Sequence, residues 1–355
     1  MVWKALRKPK LQLSTGIQFT WVPTPYHSIL HWNFILLNLP EPFHFLNVQI
    51  LIGTPNIPIF RTSHVETTTS DSFKILIATS AQHSDGLQNL SIQDDCELKD
   101  KILTCLNHVL FEQVGAQLLF GSHQREITLE FTFQLSSSIH KLHSFNVGIY
   151  QKWQILGEIK GELNYKKNTY TLSAPAVLYY SKMMDFPFLH CHFYFFSMIE
   201  LDSTRYTFIQ IRNQFNQIMQ SKLIINIGEN IQCFTDQVIL NILRVYPKIK
   251  SKNGGEMYLP REFVWSFEDK KQQIHLNANT RGDFKAGVGN EFVGSFQYRV
   301  HINGEEQQGK AGFCIYADCR PLKWQEKNEK KRFKITHKTP EFACLKGKTS
   351  KNRLN

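Results

Sequence analysis

HWNFILLNLPEPFHFLNVQILIGTP, residues 31–55, is the stretch that decides the fold class of this chain. Two apolar runs, residues 34–39 and 45–52, flank a Pro-Glu-Pro sequence. Proline has no backbone N–H to donate to a ladder, so its two copies here place a turn or a sheet corner between two strands. A Gly-Thr-Pro sequence then ends the second run. The segment predicts two strands joined at a corner, and it indicates no reaction.

Alternation of apolar and polar residues with a period of two dominates the other clear segments. Residues 127–135 place Ile, Leu, Phe, Phe and Leu on one face and Thr, Glu, Thr and Gln on the other, as in a half-buried strand. Three hairpins are predicted in the same way. Their turns lie at Lys166-Lys167-Asn168, at 268–271 and at Asn303-Gly304, and the last pair tolerates the positive φ of a type I′ turn.

Helical periodicity is limited to two segments. Residues 98–109 fit a helix, but two short strands with a tip at Asp100-Lys101 explain them better. Residues 234–245 are predicted to be helical, because Thr235 can cap the first turn and Asp236 adds negative charge there. An isolated helix or two beside many antiparallel strands does not make a parallel α/β protein.

The length of 355 residues exceeds a single hydrophobic core and favours two domains. Two tracts of similar strand content suggest a duplicated architecture. The predicted division is a basic segment at 1–19, a first barrel at 20–185, a second barrel at 186–322 and a basic, flexible tail at 323–355.

The net charge of +11 is concentrated at the two ends. Residues 321–355 hold eleven Lys or Arg against three Glu, whereas the body is close to neutral. A groove for a phosphate backbone should lie in the folded body, so nucleic acid is not an expected partner. A solvated tail is the simplest interpretation, and peripheral contact with an anionic membrane is the alternative.

Cysteine usage and hydropathy predict the compartment. The seven cysteines form no CxxC motif and leave one unpaired, which favours a reducing environment. No run of about 18 apolar residues is present. We therefore expect a cytoplasmic protein, peripheral to a membrane at most.

The opening segment, together with GEIKGELNYKKNTYTLSAPAVLYYS (157–181) and GSFQYRVHINGEEQQGKAGFCIYADCR (294–320), resembles bacterial proteins of the AttH, carotenoid hydratase and tocopherol cyclase-like superfamily. The resemblance is to an uncharacterised branch of this superfamily. The resemblance covers most of residues 20–320 and implies an all-β fold of two antiparallel lipocalin-like barrels with one or two short helices. It also implies a hydrophobic, lipid-like or isoprenoid-like ligand.

The resemblance says less about catalytic residues than about the fold. Hydratase-like members have histidine and acidic residues near glycine at the turn into the second domain, whereas this chain has Ala-Pro-Ala-Val-Leu-Tyr-Tyr-Ser at 174–181. Asp185 and His190 follow downstream and are the candidate catalytic acids. Either group could protonate an alkene or epoxide in a dry pocket.

Histidines and aromatics supply the other candidate site residues. In a strand, His190, His192 and Tyr194 share one face, but nothing fixes a third metal ligand, so neither a metal nor another cofactor is expected. Strand aromatics could stabilise a cation, although most such residues simply fill a core. The predicted ligand-binding residues are Trp32, His44, Tyr180, His192, Tyr194, Trp265 and Tyr298.

Three functions remain open from the sequence. The leading hypothesis is binding of a hydrophobic small molecule within or between the barrels, since a barrel of about eight strands can hold one small ligand. The alternative is a hydratase-type or cyclase-type enzyme, of the lyase or isomerase kind, that uses an Asp or His acid on a lipophilic substrate. A third is a membrane-surface protein without ligand chemistry.

Overall fold

The computed structural model describes residues 19–321 except 55–56, 61–70, 82–85, 100, 107, 125–126, 145–149, 186–190, 229, 236 and 251–255. In the first half of the chain the strands are β1 (Ile29–Leu39), β2 (His44–Ile52), β3 (Ser72–Thr79), β4 (Gln88–Ser91), β5 (Cys96–Lys99), β6 (Ile102–Cys105), β7 (Val109–Val114), β8 (Gln117–His123), β9 (Ile127–Ser144), β10 (Tyr150–Tyr165) and β11 (Asn168–Met183). In the second half they are β12 (Phe193–Leu201), β13 (Thr204–Arg212), β14 (Ile218–Ile227), β15 (Asn230–Phe234), β16 (Ile239–Val245), β17 (Ile249–Lys250), β18 (Glu256–Met257), β19 (Pro260–Glu268), β20 (Gln273–Thr280), β21 (Lys285–Ala286), β22 (Phe292–Ile302) and β23 (Glu305–Asp318).

Strands β1 to β11 form one antiparallel sheet in the order β4-β3-β2-β1-β11-β10-β9-β8-β7-β6-β5. Its two edge strands, β4 and β5, are joined by a single helical turn, α1 (Ile92–Asp95). Ser91 caps this turn through its side chain, which accepts a hydrogen bond from the Asp94 backbone N–H. Because the edges lie next to each other, the sheet is a nearly closed barrel.

The second sheet follows the order β15-β14-β13-β12-β23-β22-β20-β19-β16, with β21 paired to β22. It forms a half-barrel, and β17 and β18 make a separate two-stranded ribbon. In both sheets the first strand pairs with the last, β1 with β11 and β12 with β23. The predicted all-β fold of two antiparallel, lipocalin-like barrels is confirmed.

The corner in the opening segment is present as predicted. β1 ends at Leu39 and β2 begins at His44, with a turn between them in which the Phe43 N–H donates to the Pro40 carbonyl at 3.0 Å. Phe43 is buried, and its ring contacts that of Tyr170 at a centroid distance of 4.7 Å. The two prolines therefore reverse the chain, and an aromatic side chain fills the corner.

The predicted hairpins are also confirmed. β10 and β11 turn at Lys166-Lys167, β19 and β20 flank 269–272, and β22 and β23 turn at Asn303 and Gly304. The last two residues have φ of 53° and 90°, as a type I′ turn requires. Cys96–Lys99 and Ile102–Cys105 form the two short strands β5 and β6, the favoured interpretation of that segment.

The predicted helix at 234–245 is wrong. Phe234 ends β15, Gln237 has a positive φ of 60°, and residues 239–245 form the edge strand β16. Leu240 and Ile242 face the core, whereas Ile239 and Leu243 are exposed on the outer face. Apolar residues on both faces of this strand imitate the spacing of a helical stripe. Within the described ranges, α1 is the only helix.

Side chains that alternate between the two faces of the strands form three apolar cores, and β1 contributes to two of them. The even residues Leu30, Trp32, Phe34 and Leu36 pack inside the first barrel. The odd residues Ile29, Ile35 and Leu37 belong to a core that lies between the two sheets. The second barrel has its own interior core, which includes Phe195, Phe208 and Trp265.

Polar pairs also connect the two sheets inside the intervening core. The Gln154 amide donates to Asn226 Oδ1 at 3.1 Å, and the hydroxyls of Tyr179 and Thr207 lie 3.4 Å apart. The side-chain amide of Asn290 donates to the Pro58 carbonyl at 3.0 Å. These hydrogen bonds across the contact fix the register of one sheet on the other.

The cysteines divide into one pair and several thiols. Cys96 and Cys105 are direct partners across β5 and β6 and form a disulfide, with Cα atoms 4.1 Å apart. Cys191, Cys314 and Cys319 are free and at least partly buried, and Cys233 is free and exposed. The cytoplasmic location stays a prediction. Over the described ranges, no helix is both long enough and apolar enough to cross a bilayer.

Candidate inter-sheet site

A row of side chains crosses the first sheet on the face that packs against the second. Lys74, Leu51, His31, Ser181 and Lys152 are consecutive register partners on β3, β2, β1, β11 and β10. Register partners project to the same face of a sheet. At about 4.8 Å per strand, the row spans about 19 Å of backbone, and it brings two lysines and a histidine to one surface.

The second sheet contributes further polar groups to the same space. The ammonium of Lys152 lies 5.9 Å from the ring centroid of Tyr194 on β12 and 5.2 Å from that of Tyr179 on β11. Lys222 on β14 donates from Nζ to the carbonyl of Leu142, on β9, at 3.0 Å. The segment before β22 supplies Glu291, which is 3% exposed.

We call the following set the inter-sheet cluster: His31, Gln49, Lys74, Lys152, Tyr179, Tyr194, Lys222 and Glu291. Apolar residues of the core between the sheets surround it, among them Leu51, Phe196, Ile209, Val288 and Val293.

Glu291 is the carboxyl group of the cluster. Burial raises its pKa from 4.5 to about 7. The neighbouring amide of Gln49, the N–H of Val288 and the charges of Lys152 and Lys74 act in the opposite direction, but they do not outweigh the loss of hydration. Near neutral pH the group therefore exchanges its proton readily, as a general acid or base must.

The two lysines of the row, Lys74 and Lys152, also have lowered pKa values. Burial lowers the pKa of Lys152 and that of Lys74 from 10.5 to about 8, and the charge of Glu291 partly offsets this shift in both. Lys222 lowers the pKa of Lys152 further by like-charge repulsion. In both lysines the loss of hydration outweighs the attraction of the Glu291 carboxylate.

His31 is neutral in this environment. Burial, and then the charge of Lys152, lower the pKa of its imidazole to about 3. A neutral imidazole can donate one hydrogen bond and accept another, but it adds no charge. The phenols of Tyr179 and Tyr194 also stay protonated, because burial raises the pKa of Tyr179 to about 12 and raises that of Tyr194 well above 10.

One polar atom of the cluster, Glu291 Oε1, has no hydrogen-bond partner among the described residues, whereas the side chains of His31 and Gln49 interact with each other. Buried polar atoms are nearly always hydrogen-bonded, to protein or to water. His31, Lys152 and Tyr194 also keep partial exposure although protein surrounds them. Together these features mark a polar patch inside the apolar core between the sheets, and we refer to it as the polar recess.

The site residues predicted from the sequence lie in several different parts of the structure. Trp32 and Tyr180 are register partners inside the first barrel, with ring centroids 5.3 Å apart and no exposed surface. Trp265 and Tyr298 lie in the second barrel, where the Trp265 indole donates to Ser197 Oγ at 3.1 Å. Only Tyr194 joins the inter-sheet cluster.

The remaining candidates lie near the ends of strands. His44 begins β2, close enough to Arg281 and Asp283 of the second half for their charges to act on its pKa, which burial lowers. His192 is half-buried, and its backbone pairs with Arg212 and Cys319. Asp185 is exposed, with its backbone N–H donating to Ser28 Oγ at 3.2 Å.

His190 falls outside the described residues. The catalytic roles of Asp185 and His190 therefore stay predictions. Over the described ranges, no group of three or more His, Cys, Asp or Glu side chains is arranged to hold a metal ion.

The sequence contained a signal for the inter-sheet cluster that pattern analysis missed. Residues 29–37 of β1 and 45–52 of β2 are apolar on both faces except at His31, Asn33, Asn47 and Gln49. Both faces of such a strand are buried, so a polar residue in it needs an internal partner. Lys74 is a comparable exception in the apolar run of β3, and none of these positions shows which partner it meets.

A family model matches residues 49–331, a span that includes β3 to β23 and Glu291. It describes a family of unknown function, DUF6670. The chain belongs to the DUF6670 family. No curated protein sequence matches this DUF6670 chain.

Solved structures relate the fold of this DUF6670 protein to known ones. A Nitrosomonas europaea protein provisionally identified as AttH superposes with a TM-score of 0.57 at 11% identity, over 88% of this chain and 100% of the other. Kievitone hydratase from Nectria haematococca gives a TM-score of 0.49 at 10% identity, over 88% of this chain and 98% of the other. At these identities the AttH likeness shows a shared fold, as the sequence resemblance predicted.

Proposed function

We propose that the protein binds a small lipophilic molecule between its two sheets and moves a proton on it, with Glu291 as the acid–base group. The observation that carries the proposal is the buried Glu291 carboxyl, whose pKa lies at about 7 and whose Oε1 has no hydrogen-bond partner among the described residues. A carboxyl held in this way is suited to proton transfer.

The apolar surroundings support a lipophilic ligand. Leu51, Phe196 and Val293 flank the polar groups, and binding sites for small molecules typically combine such walls with a few polar groups that fix orientation. The barrel interiors support the proposal less well, because Trp32, Tyr180 and Trp265 have no exposed surface and pack against other rings.

Electrostatics favour one class of proton transfer over another. Lys74, Lys152 and Lys222 place positive charge around the recess, so a carbocation formed by protonating an unactivated alkene would be repelled. A reaction in which negative charge develops on oxygen would be stabilised by the same lysines and by the phenol of Tyr194. Hydration, dehydration or isomerisation next to a carbonyl group is of this type.

Native mass spectrometry after incubation with a total lipid extract tests the proposal. The wild-type protein should retain an adduct and convert it, and Glu291→Gln should retain the same adduct unconverted. Glu162→Gln, which changes an exposed carboxylate on β10, is the matched control and should behave as the wild type. Absence of any adduct, or an equal conversion by Glu291→Gln, would contradict the proposal. Circular dichroism of each variant separates loss of activity from loss of fold.

A second candidate function, contact with an anionic membrane surface, is favoured by the β13–β14 connection. Phe215 in this connection is 58% exposed, and Ile218 and Met219 at the start of β14 are 57% and 61% exposed. The Asn213 side chain accepts hydrogen bonds from the backbone N–H groups of Phe215 and Gln217, so the loop presents these side chains in a fixed conformation. Apolar side chains at such a tip can enter a bilayer interface, and the basic end segment, which lies outside the described residues, matches anionic headgroups.

A further inference from the structure

We infer that Gln49 is a positioning residue for Glu291: its side-chain amide donates to the Glu291 carboxyl and is held in that orientation by Asn47. The inference rests on the proposed function, because it adds a residue that acts on the proton-transferring group. Its basis is a chain of buried side-chain amides that begins at the backbone carbonyl of Phe34.

The strand register brings the amides of this chain side by side. Asn33 and Gln49 are direct partners across β1 and β2, and Asn47 is the partner of Ile35. Ile35 belongs to the core between the sheets, so the three amide side chains lie on the face that packs against the second sheet. All three are buried. Buried amides need internal hydrogen-bond partners, and these amides serve one another.

The backbone determines which way each amide points. An amide side chain has a donor end and an acceptor end of nearly the same shape, so its orientation follows from its partners. The Phe34 carbonyl can only accept, and Asn47 Nδ2 donates to it at 3.0 Å and also to Asn33 Oδ1. Asn47 Oδ1 is therefore turned towards Gln49, whose Nε2 donates to it at 3.0 Å. The second proton on that nitrogen remains for another acceptor.

Glu291 supplies that acceptor. Its carboxyl is hydrogen-bonded by the side chain of Gln49 and by the backbone N–H of Val288, and both bonds favour the ionised form and so lower its pKa. Val288 belongs to the same connecting segment as Glu291, so Gln49 is the donor that joins the carboxyl to the first sheet. Oε1 has no hydrogen-bond partner among the described residues, which makes it the oxygen that can exchange a proton.

The segment that carries Glu291 restricts the movement of its side chain. The N–H of Gly287 donates to the Glu291 backbone carbonyl at 2.7 Å, and any side chain at position 287 would collide with that of Glu291. Because the carboxyl is confined in this way, a lost Gln49 amide should not be replaced by a different donor.

The ionisable side chains that act on Glu291 or on Gln49 come from strands of both sheets: His31 on β1, Lys74 on β3, Lys152 on β10 and Tyr194 on β12. The two ammonium charges lower the pKa of Glu291, as the Gln49 amide does, whereas burial raises it. Gln49 itself has no charge. Its replacement by methionine, which has a similar length, therefore removes the hydrogen bond and leaves the charges of the cluster in place.

Infrared titration of the protonated carboxyl band tests the inference, with Glu291→Gln used to identify the band. The wild type should titrate with a midpoint at about pH 7. Gln49→Met should raise this midpoint by about one pH unit, the shift expected when an ionised group loses one hydrogen bond. Gln154→Met is the matched control, because it removes another buried glutamine between the sheets, one that donates to Asn226 at 3.1 Å. It should keep the wild-type midpoint.

An unchanged midpoint in Gln49→Met would overturn the inference, and so would an equal shift in Gln154→Met, because the shift would then reflect a general change in packing. If circular dichroism shows that Gln49→Met does not fold, Asn47→Leu decides instead, since it removes the acceptor that orients Gln49. An upward shift in that variant supports the inference, and no shift contradicts it.

The outcomes separate the inference from the function on which it rests. Conversion of a lipid-extract adduct by the wild type, together with an unchanged midpoint in Gln49→Met, would contradict the inference alone. A raised midpoint in Gln49→Met, together with the absence of any adduct, would contradict the proposed function alone.

Discussion

His31 and Lys152 are both register partners of Ser181, so a single strand separates an imidazole from an ammonium on the same face of the sheet. The pair explains why His31 stays neutral. Burial removes the hydration of its charged form, and the charge of Lys152 opposes protonation further. His31 is therefore a hydrogen-bonding group of the recess and not its source of positive charge.

We expect the His31 imidazole to remain neutral in the folded protein down to about pH 4. Its pKa is lowered to about 3, mainly by burial. Lys152→Met should raise this pKa by removing the second cause, but burial should keep it below 6.5. Proton NMR titration of the histidine Cε1–H resonances measures the shift, with His31→Gln used to assign the signal. A His31 signal that titrates near pH 6.5 would contradict the assigned burial.

Glu291 should make the folded state less stable as the pH rises from 4.5 to 7. The folded protein keeps the proton over this window because the pKa is raised to about 7, whereas the unfolded chain releases it near 4.5. The free energy of unfolding should fall by up to about 3 kcal/mol from this group alone. Lys74 and Lys152, with pKa values lowered to about 8, add stability only as the pH rises above 8.

Urea unfolding of the wild type and of Glu291→Gln at pH 5 and pH 7 checks this expectation. The wild type should lose stability between the two pH values relative to Glu291→Gln, and Glu162→Gln should follow the wild type. The same pH dependence in Glu291→Gln and in the wild type would show that Glu291 ionises normally.

Trp265→Ala should destabilise the protein by about 3–5 kcal/mol, the usual cost of truncating a large aromatic residue in a core. Trp265 has no exposed surface, and its ring stacks on Phe208 at a centroid distance of 5.4 Å. The substitution also removes the indole N–H that donates to Ser197 Oγ. Trp153→Ala, at a half-buried position on β10, should cost less. Denaturant midpoints measure both, and a small effect for Trp265 would indicate a ligand cavity in the second barrel.

Binding to anionic vesicles should depend on the β13–β14 connection and on the basic end. Replacing both Phe215 and Met219 by serine should reduce sedimentation with phosphatidylserine vesicles, because two exposed apolar groups are lost. Ile227→Ser, which changes an equally apolar, exposed position at the other end of β14, is the control. Truncation after Pro321 should weaken binding further by removing the basic segment.

Unchanged sedimentation of the double variant with phosphatidylserine would exclude the loop as a membrane contact. Equal binding of the wild type to phosphatidylcholine vesicles would show that charge plays no part, and the basic segment would then have a different role.

Much of the fold follows from local sequence patterns. Alternation along residues 127–135, the prolines at 40 and 42 and the Asn303-Gly304 turn each predict a strand end or a hairpin that the structure contains. The helix predicted at 234–245 failed because β16 is an edge strand with apolar residues on its outer face as well. Alternation is lost when both faces of a strand are apolar, so such a strand cannot be told from a helix by periodicity alone.

The site was less accessible to sequence analysis than the fold. His31, Lys152 and Glu291 lie far apart along the chain and meet only because β1 and β10 both pair with β11, and because the second sheet packs against that face. Glu291 stands in a connecting segment whose local sequence, with glycines on either side, resembles an ordinary loop. The sequence places Tyr194 on the same strand face as two histidines. In the structure its ring lies 5.9 Å from the ammonium of Lys152.

The alternation of β1 has a consequence for how this protein can vary. Odd residues such as His31 face the second sheet and even residues such as Trp32 fill the barrel. Inserting or deleting one residue between Ile29 and Leu39 would exchange the two sets, placing an indole against Lys152 and an imidazole among the barrel aromatics. Strand β1 should therefore accept some substitutions but no change in length, and length variation should be confined to the connections between strands.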